Sequence, residues 1–160
     1  MGEPHVVTLR ATRDRDLDAL FAFEQDEAAV RMAAFTAPDP SDRATFDAHW
    51  RRLLADPSVD ARTVRADGEI VGSVARWYED GAAEITTWID PAHWNRHIAT
   101  RAMRLFLDTL GERPVRARVA ADNAASIAVL ENLGFEQVGT AVSYANARGT
   151  EIEERIYRLG

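Results

Sequence analysis

Residues 88–100 read WIDPAHWNRHIAT, and this stretch decides the order of the elements on either side of it. Before it, Ala83–Asp90 is an apolar strand candidate that a proline stops. After it, apolar residues recur at helical spacing over His97–Leu110 until a glycine ends the helix, and Val115–Ala121 is a short apolar strand. Because a strand–helix–strand crossover places its two strands side by side, we expect Ala83–Asp90 and Val115–Ala121 to be parallel neighbours.

The remaining elements alternate strands and helices around this crossover. Upstream, the pattern predicts a strand at His5–Ala11, a helix capped by Asp14 or Asp16, a helix from Ser41 to about Ala55, and strands at Ala61–Ala66 and Glu69–Tyr78. Downstream, it predicts a helix capped by Asp122 or Asn123 that ends at Leu133, then a hairpin of Phe135–Ala145 and Glu151–Leu159. We therefore expect residues 1–160 to form one α+β domain, with a mixed, mostly antiparallel sheet of seven strands flanked by about four helices.

The composition excludes several classes of protein. The chain has 160 residues, 19 basic side chains that are all arginine, 26 acidic ones, a net charge of −7 and no cysteine. Without cysteine there are no disulfides, thiolate metal sites or cysteine nucleophiles, and without lysine there is no Schiff-base chemistry. An acidic chain is not expected to bind nucleic acid broadly, because such binding relies on clustered cations. We find no apolar run of membrane-spanning length and no secretory signal, so we expect a cytoplasmic protein with no membrane partner.

The start of the helix at residue 97 is a candidate anion site. The first amides of a helix have no acceptor within the helix and lie at the positive end of its dipole, and Arg96 and Arg101 could add charge-assisted hydrogen bonds to a phosphate. The same pattern is also typical of an ordinary strand–helix junction. His93 and His97 are four residues apart, but no glutamate lies between them and no third ligand follows nearby, so we expect no metal.

A second candidate lies at the start of the next helix. Asn123 and Ser126 are three residues apart and can share one face of the first helical turn. Asparagine at a helix start is also a common cap, so this spacing alone does not indicate a ligand.

Together, WNRHIAT at 94–100 and NAASIAVLENLGF at 123–135 resemble the motifs of the GNAT superfamily of acetyl-CoA-dependent N-acyltransferases. The first segment is similar to the Trp-Gly-Arg-Gly-Ile-Ala-Thr motif of the ribosomal-protein-alanine N-acetyltransferase branch, and the second matches that branch almost letter for letter. The resemblance covers nearly the whole chain in element order. It implies a GNAT-like fold and acetyl-CoA as co-substrate. Asn95 and His97 stand where the family motif has glycines, so the resemblance implies an altered loop that still binds coenzyme A.

The resemblance also implies roles for particular residues. It implies that the backbone near Trp88 and Ile89 faces the thioester oxygen, that Asn123 binds the pantetheine amide and that Ser126 protonates or binds the departing sulfur. The residues that it places around the diphosphate are Arg96, His97, Ile98, Ala99 and Thr100.

Glu84 is the candidate base, because a family carboxylate on this strand often takes the proton of the amine. A solvated, outward-facing strand residue is the alternative. The acidic cluster of Glu24, Asp26 and Glu27 could attract a cationic amine, or it could be an ordinary solvated helix face. Tyr144 could replace the aromatic residue that relatives carry beside the site, or it could be a packing residue.

We therefore predict an N-acetyltransferase that transfers an acetyl group to a primary amine by direct attack in a ternary complex. The acceptor is the N-terminus of a protein or peptide, or a small-molecule amine. The alternative is a non-catalytic acyl-CoA-binding module or sensor with the same fold. A nicotinamide-binding domain is excluded, because no Gly-x-Gly-x-x-Gly follows a strand. The last hairpin could pair two copies as a homodimer.

Overall fold

The computed structural model of the chain describes residues 2–160 and arranges them around one seven-stranded sheet in the order β1-β2-β3-β4-β5-β7-β6. The strands are β1 Val7–Ala11, β2 Asp60–Ala66, β3 Glu69–Glu79, β4 Ala82–Ile89, β5 Val115–Ala120, β6 Glu136–Ala145 and β7 Thr150–Leu159. The α-helices in the described residues are α1 Leu17–Phe23, α2 Glu27–Ala33, α3 Arg43–Ala55, α4 Ile98–Leu110 and α5 Ala124–Asn132. None of them is long and apolar enough to cross a membrane. The predicted α+β fold is confirmed.

The parallel pair β4 and β5 is the feature that positions the site. The sequence predicted this pairing, and the structure confirms it, but the ladder is short: Ala83 lies opposite Val115 and Glu84 opposite Arg116. The other neighbouring strands of the sheet are antiparallel. Because β4 and β5 both continue beyond their last pair, they diverge and leave a cleft between them.

The main core fills one face of the sheet under α4 and α5. Its apolar residues alternate along the strands and recur at helical spacing on α4, and the largest fully buried ones include Ile98, Met103, Phe106 and Tyr157. Full burial of such a side chain contributes about 1.5–3 kcal/mol relative to exposure. This core holds α4 against the strands and thereby fixes the position of its N-terminus beside the cleft.

Two smaller clusters lie on the opposite face. Leu17 and Leu20 of α1 pack with Trp50 of α3 over the β2–β3 end of the sheet. Ala34, which follows α2, packs against Ala120 and Ala145 at the other end. The cleft opens on this face between the two clusters.

The structure differs from the sequence-based prediction mainly between residues 14 and 43. Helix α2 was not predicted, because it has seven residues and little apolar periodicity; it begins where the Asp26 carboxylate accepts the Ala29 N–H. Helix α3 starts after Asp42, whose carboxylate accepts the Thr45 N–H, so the predicted cap Ser41 was wrong.

Asp16 occupies the predicted N-cap position of α1, but its carboxylate does not cap that helix. Residues 14–16 form a short 3-10 turn, and the Asp16 carboxylate turns inward, where it accepts bonds from both terminal nitrogens of Arg10 at 2.7 and 2.8 Å and from the Thr63 hydroxyl at 2.9 Å. Asp16 is therefore a buried anchor between β1, β2 and α1.

Candidate active site

The cleft edge of β4 presents the backbone of Ile89. The Asp90 N–H, just after β4, donates to the Val71 carbonyl of β3, so the amide of Asp90 faces β3. Because amides alternate in direction along a strand, the Trp88 amide also faces β3 and the Ile89 amide faces the cleft. The Ile89 carbonyl accepts the indole N–H of Trp94 at 2.9 Å. Of the two predicted residues, Ile89 is the one whose amide can contact a ligand in the cleft.

Gly72 on β3 supports this edge of the cleft from behind. A Cβ atom on Gly72 would lie 2.1 Å from the Trp88 carbonyl oxygen and 2.9 Å from the Ile89 Cδ1 atom. Glycine is therefore required for the close approach of β3 and β4. The sequence analysis missed this residue, although an isolated glycine inside a strand pattern is a known signal for such an approach.

The loop before α4 has the conformation of a glycine-containing loop. Asn95 has φ +63° and His97 has φ +59°, both in the left-handed region. These are the two positions where the family motif has glycines, the residue that adopts this region without strain. His97 is the N-cap residue of α4, and its side chain makes no capping hydrogen bond to this helix. The first amides of α4 are thus available to an anion.

The side chains of this loop bind the N-terminal segment Gly2–His5. The Arg96 Nε–H donates to the Gly2 carbonyl at 2.9 Å, and the Arg101 guanidinium donates to the Pro4 carbonyl at 2.7 Å. The His97 ring lies 2.8 Å from the Glu3 carboxylate through Nδ1. In the structure these side chains therefore contact protein groups, and the amides of Ile98, Ala99 and Thr100 are the groups of this loop best placed for a phosphate.

Asn123 is both a cap and a bridge between helices. Its Oδ1 accepts the Ser126 N–H at 3.3 Å at the start of α5, and its Nδ2 lies 3.5 Å from the Met32 carbonyl at the end of α2. Asn123 is buried and Ser126 is half-buried on the first turn of α5. The capping interpretation is confirmed for Asn123, and a bond to a ligand stays a prediction.

Glu84 is a buried carboxylate at the point where β4 and β5 separate. It is 3% exposed, so the alternative of a solvated strand residue was wrong. Burial raises the pKa of Glu84 above its ordinary value, against a smaller lowering effect of the nearby Arg118 guanidinium. A carboxylate with a raised pKa is a stronger base than an exposed one.

Arg118 and Glu154 complete a charged cluster that the sequence did not indicate. Arg118 on β5 lies 3.5 Å from Glu84 through Nε and 3.0 Å from Glu154 on β7 through Nη1. The Ser143 hydroxyl of β6 donates to the same Glu154 oxygen at 3.1 Å. These residues come from four strands that are distant in sequence, so only the sheet order brings them together.

Glu24 and Glu27, the residues predicted to attract the acceptor amine, differ in their burial. Glu24 follows α1, and burial raises the pKa of its carboxyl to about 7. The indole N–H of Trp88 lies 3.4 Å from the Phe23 carbonyl, which places the end of α1 against β4 on the face of the cleft. Glu27 is exposed at the first turn of α2.

Tyr144 lies away from the cleft. It is 60% exposed, and its neighbour Ser143 points toward Glu154. Because adjacent strand residues point to opposite faces, Tyr144 points away from the face that carries Glu84. The suggestion that it replaces an aromatic residue beside the base was wrong for this reason.

Comparison with known proteins identifies the family of the chain. The sequence profile described as "Acetyltransferase (GNAT) domain" matches residues 7–136. The chain belongs to the GNAT family. It is 30% identical over 129 residues to N-alpha-acetyltransferase RimI of Mycobacterium tuberculosis, an alignment that covers 78% of this chain and 79% of the relative. It is 24% identical over 166 residues to the uncharacterized N-acetyltransferase p20 of Bacillus licheniformis, covering 96% of this chain and 92% of that protein.

Solved GNAT structures share the fold at lower identity. A Vibrio cholerae spermidine N-acetyltransferase in complex with CoA and spermine superimposes with a TM-score of 0.82 at 19% identity, covering 96% of this chain and 94% of that one. Mycobacterium smegmatis RimJ in complex with CoA-disulfide gives a TM-score of 0.80 at 22% identity, covering 96% and 81%. The predicted family, enzyme class and co-substrate are confirmed: this GNAT protein is an acetyl-CoA-dependent N-acetyltransferase.

The residues of the cleft fit acetyl-CoA. The diverging strands expose backbone groups on β4 beside Ile89, and the uncapped start of α4 offers amides for a diphosphate. By contrast, α2, α3 and α5 carry capping side chains from Asp26, Asp42 and Asn123. Among the described residues, no group of three or more His, Asp or Glu side chains is arranged to hold a metal ion.

Proposed function

We propose that this GNAT enzyme acetylates a primary amine that enters the cleft as an ammonium ion, and that Glu84 takes its proton. The single observation that carries the proposal is the burial of the Glu84 carboxylate at the divergence of β4 and β5. An ammonium ion has no lone pair for attack, so the site must hold a group that can accept a proton near neutral pH.

The α-amine of a protein or peptide N-terminus is our first candidate for the acceptor. It is supported by the 30% identity to a protein named as an N-alpha-acetyltransferase. A small polyamine-like compound is the second candidate, favoured by the half-buried Glu24 and the exposed Glu27 near the acceptor face. Carboxylates in this position would attract either kind of cation.

We propose roles for the other residues of the site as well. Acetyl-CoA supplies the acetyl group as an activated thioester. The amides of Ile98, Ala99 and Thr100 would bind its diphosphate, with Arg96 and His97 shaping the loop. The Ile89 amide would donate to the thioester oxygen, and one such donor is worth about 3 kcal/mol to the reaction. Asn123 would bind the pantetheine arm, and Ser126 would give a proton to the departing sulfur.

Thiol release from acetyl-CoA tests this function. Wild-type protein is assayed with peptides that begin with alanine or serine and with spermidine, against Glu84→Gln and Ser126→Ala. We expect release with one acceptor class and a loss of 100-fold or more for Glu84→Gln, in line with the usual size of proton-transfer contributions. We expect a smaller loss, about tenfold, for Ser126→Ala, because a thiolate is a good leaving group that depends less on protonation. The alternative sensor function would give acetyl-CoA binding by calorimetry with no thiol release above buffer.

We also propose that residues 1–160 act as a single domain in the cytoplasm, where acetyl-CoA is available. We expect no nucleic-acid partner, because the net charge is −7. Pairing of two copies through the β6–β7 hairpin remains a proposal, and sedimentation of the purified protein tests it.

A further inference from the structure

Glu84 lies in a charged cluster with Arg118 and Glu154, in which the two carboxylates are at different distances from the guanidinium. Arg118 is 3.0 Å from Glu154 but 3.5 Å from Glu84, and the longer distance exceeds that of an ordinary charge-assisted bond. The Arg118 side chain is 41% exposed, whereas both carboxylates are buried. One guanidinium thus faces two carboxylates and is bound more closely to the one farther from the cleft.

We propose that Glu154 is a positioning residue for the reaction. From β7 it binds the guanidinium of Arg118, which lies on β5, and thereby leaves the Glu84 carboxylate free for the acceptor amine. This inference rests on the proposed role of Glu84 as the proton acceptor. Glu154 does not touch the substrate and acts only through Arg118.

The position of Glu154 is rigid. It lies opposite Ala120 of β5 and Ala141 of β6, at the centre of three paired strands. The Ser143 hydroxyl donates to the same Oε1 atom that accepts from Arg118. A second donor on this oxygen fixes the orientation of the carboxylate, and the orientation of the carboxylate fixes where the arginine charge sits.

The charge balance of the cluster explains why the position of Arg118 matters. With Glu84 ionised the three groups carry a net charge of −1, which attracts an ammonium ion. When Glu84 accepts one proton from that ammonium ion, the amine becomes neutral and the cluster has no net charge. If Arg118 instead paired fully with Glu84, the guanidinium would satisfy the carboxylate in place of the ammonium ion and weaken it as a base.

Other charged groups near Glu84 act in known directions. Glu79 at the end of β3 raises the pKa of Glu84, whereas Arg116 on β5 lowers it. Burial has the largest effect and raises the pKa, and Arg118 is the strongest opposing group. Among the neighbouring charged groups, Arg118 is therefore the one whose position has the largest effect on the basicity of Glu84.

The test measures kcat/KM against pH, from 5.5 to 9.5, for wild type, Glu154→Gln and the double variant Glu154→Gln/Arg118→Gln. In Glu154→Gln the guanidinium is released to pair with Glu84. We expect the acidic limb of the profile to move down by about one pH unit and the plateau to fall about tenfold, with the KM for acetyl-CoA unchanged. In the double variant the limb should return to the wild-type pH or above it, because the displaced cation has been removed.

Controls separate this inference from the proposed function. Glu153→Gln changes an exposed glutamate next to Glu154 and should leave the profile unchanged. If Glu154→Gln does not fold, Ser143→Ala removes the second bond to the same oxygen and should move the limb in the same direction by a smaller amount. An unchanged limb in Glu154→Gln, or no rescue in the double variant, overturns the positioning role. An acidic limb that persists in Glu84→Gln overturns instead the proposed role of Glu84.

Discussion

Substitution of Gly72 by alanine tests the close approach of β3 and β4 that shapes the cleft edge. The added Cβ would meet the Trp88 carbonyl oxygen at 2.1 Å, and Cβ atoms essentially never come within 3.0 Å of another heavy atom. The atoms at 2.1 and 3.1 Å from this Cβ are backbone atoms of Trp88 and Ile89, which cannot rotate away as a side chain would. The two strands must therefore separate by about 1 Å at this point.

We expect Gly72→Ala to lower the free energy of unfolding by about 3 kcal/mol. Overpacking in a rigid core costs about 1–3 kcal/mol, and separation of the strands weakens about two ladder hydrogen bonds that contribute about 1 kcal/mol each. Alanine also reduces the entropy of the unfolded chain, which offsets about 0.4–1 kcal/mol of the loss. The same displacement moves the Ile89 amide, so we expect coenzyme A to bind about tenfold more weakly.

Urea titration followed by circular dichroism measures the stability, and isothermal titration calorimetry measures coenzyme A affinity. Gly139→Ala is the matched control: it is also a strand glycine, but its added Cβ meets only the Ile156 Cδ1 atom at 3.9 Å. We expect this control to stay within about 0.5 kcal/mol of wild type. If Gly72→Ala were as stable as Gly139→Ala and bound coenzyme A normally, the close approach would not hold β4 in place and the account of the cleft edge would be wrong.

Two further predictions concern residues outside the cleft cluster. Burial would raise the pKa of Asp16, but bonds from Arg10, the Arg13 amide and Thr63 lower it from 3.8 to about 2, so wild-type stability should fall as the pH drops from about 4 to 2. Asp16→Asn should lose about 2 kcal/mol at pH 7. In urea titrations at graded pH its stability should fall less than that of wild type, because the pKa values of other carboxylates, such as Asp67 and Asp122, are also lowered in the folded state. His97→Gly should bind coenzyme A as tightly as wild type or more tightly, since glycine adopts φ +59° without strain; a tenfold loss by calorimetry would make the imidazole a ligand.

Local patterns predicted most of the fold because they depend on neighbours in the sequence. The crossover from β4 to β5, the left-handed Gly111 after α4 and the Asp67-Gly68 and Asp80-Gly81 turns with positive φ all agree with the structure. The same patterns failed where competing caps were adjacent. Ser41 and Asp42 are equally good caps by type, but the Ser41 amide and hydroxyl donate to the Asp39 carboxylate and Asp42 caps α3.

The candidate site was predicted only where it is contiguous in sequence. Glu84 was identified through the family resemblance, but its burial depends on strands that pair across the sheet. Arg118, Ser143 and Glu154 carry no local signal, because charged and polar residues at alternate strand positions are typical of a solvated face. Their meeting follows from the order β4-β5-β7-β6, which inserts the last strand of the chain between β5 and β6. That order could not be read from periodicity.

The loop before α4 shows how a departure from a motif can keep the geometry of the motif. A residue other than glycine in the left-handed region costs about 1 kcal/mol, so Asn95 and His97 together strain the loop by about 2 kcal/mol. Arg96 contacts Gly2 and His97 contacts Glu3, so residues of the same loop form contacts that oppose this strain. The N-terminal segment thus supports from outside a loop that glycines would otherwise allow to form freely.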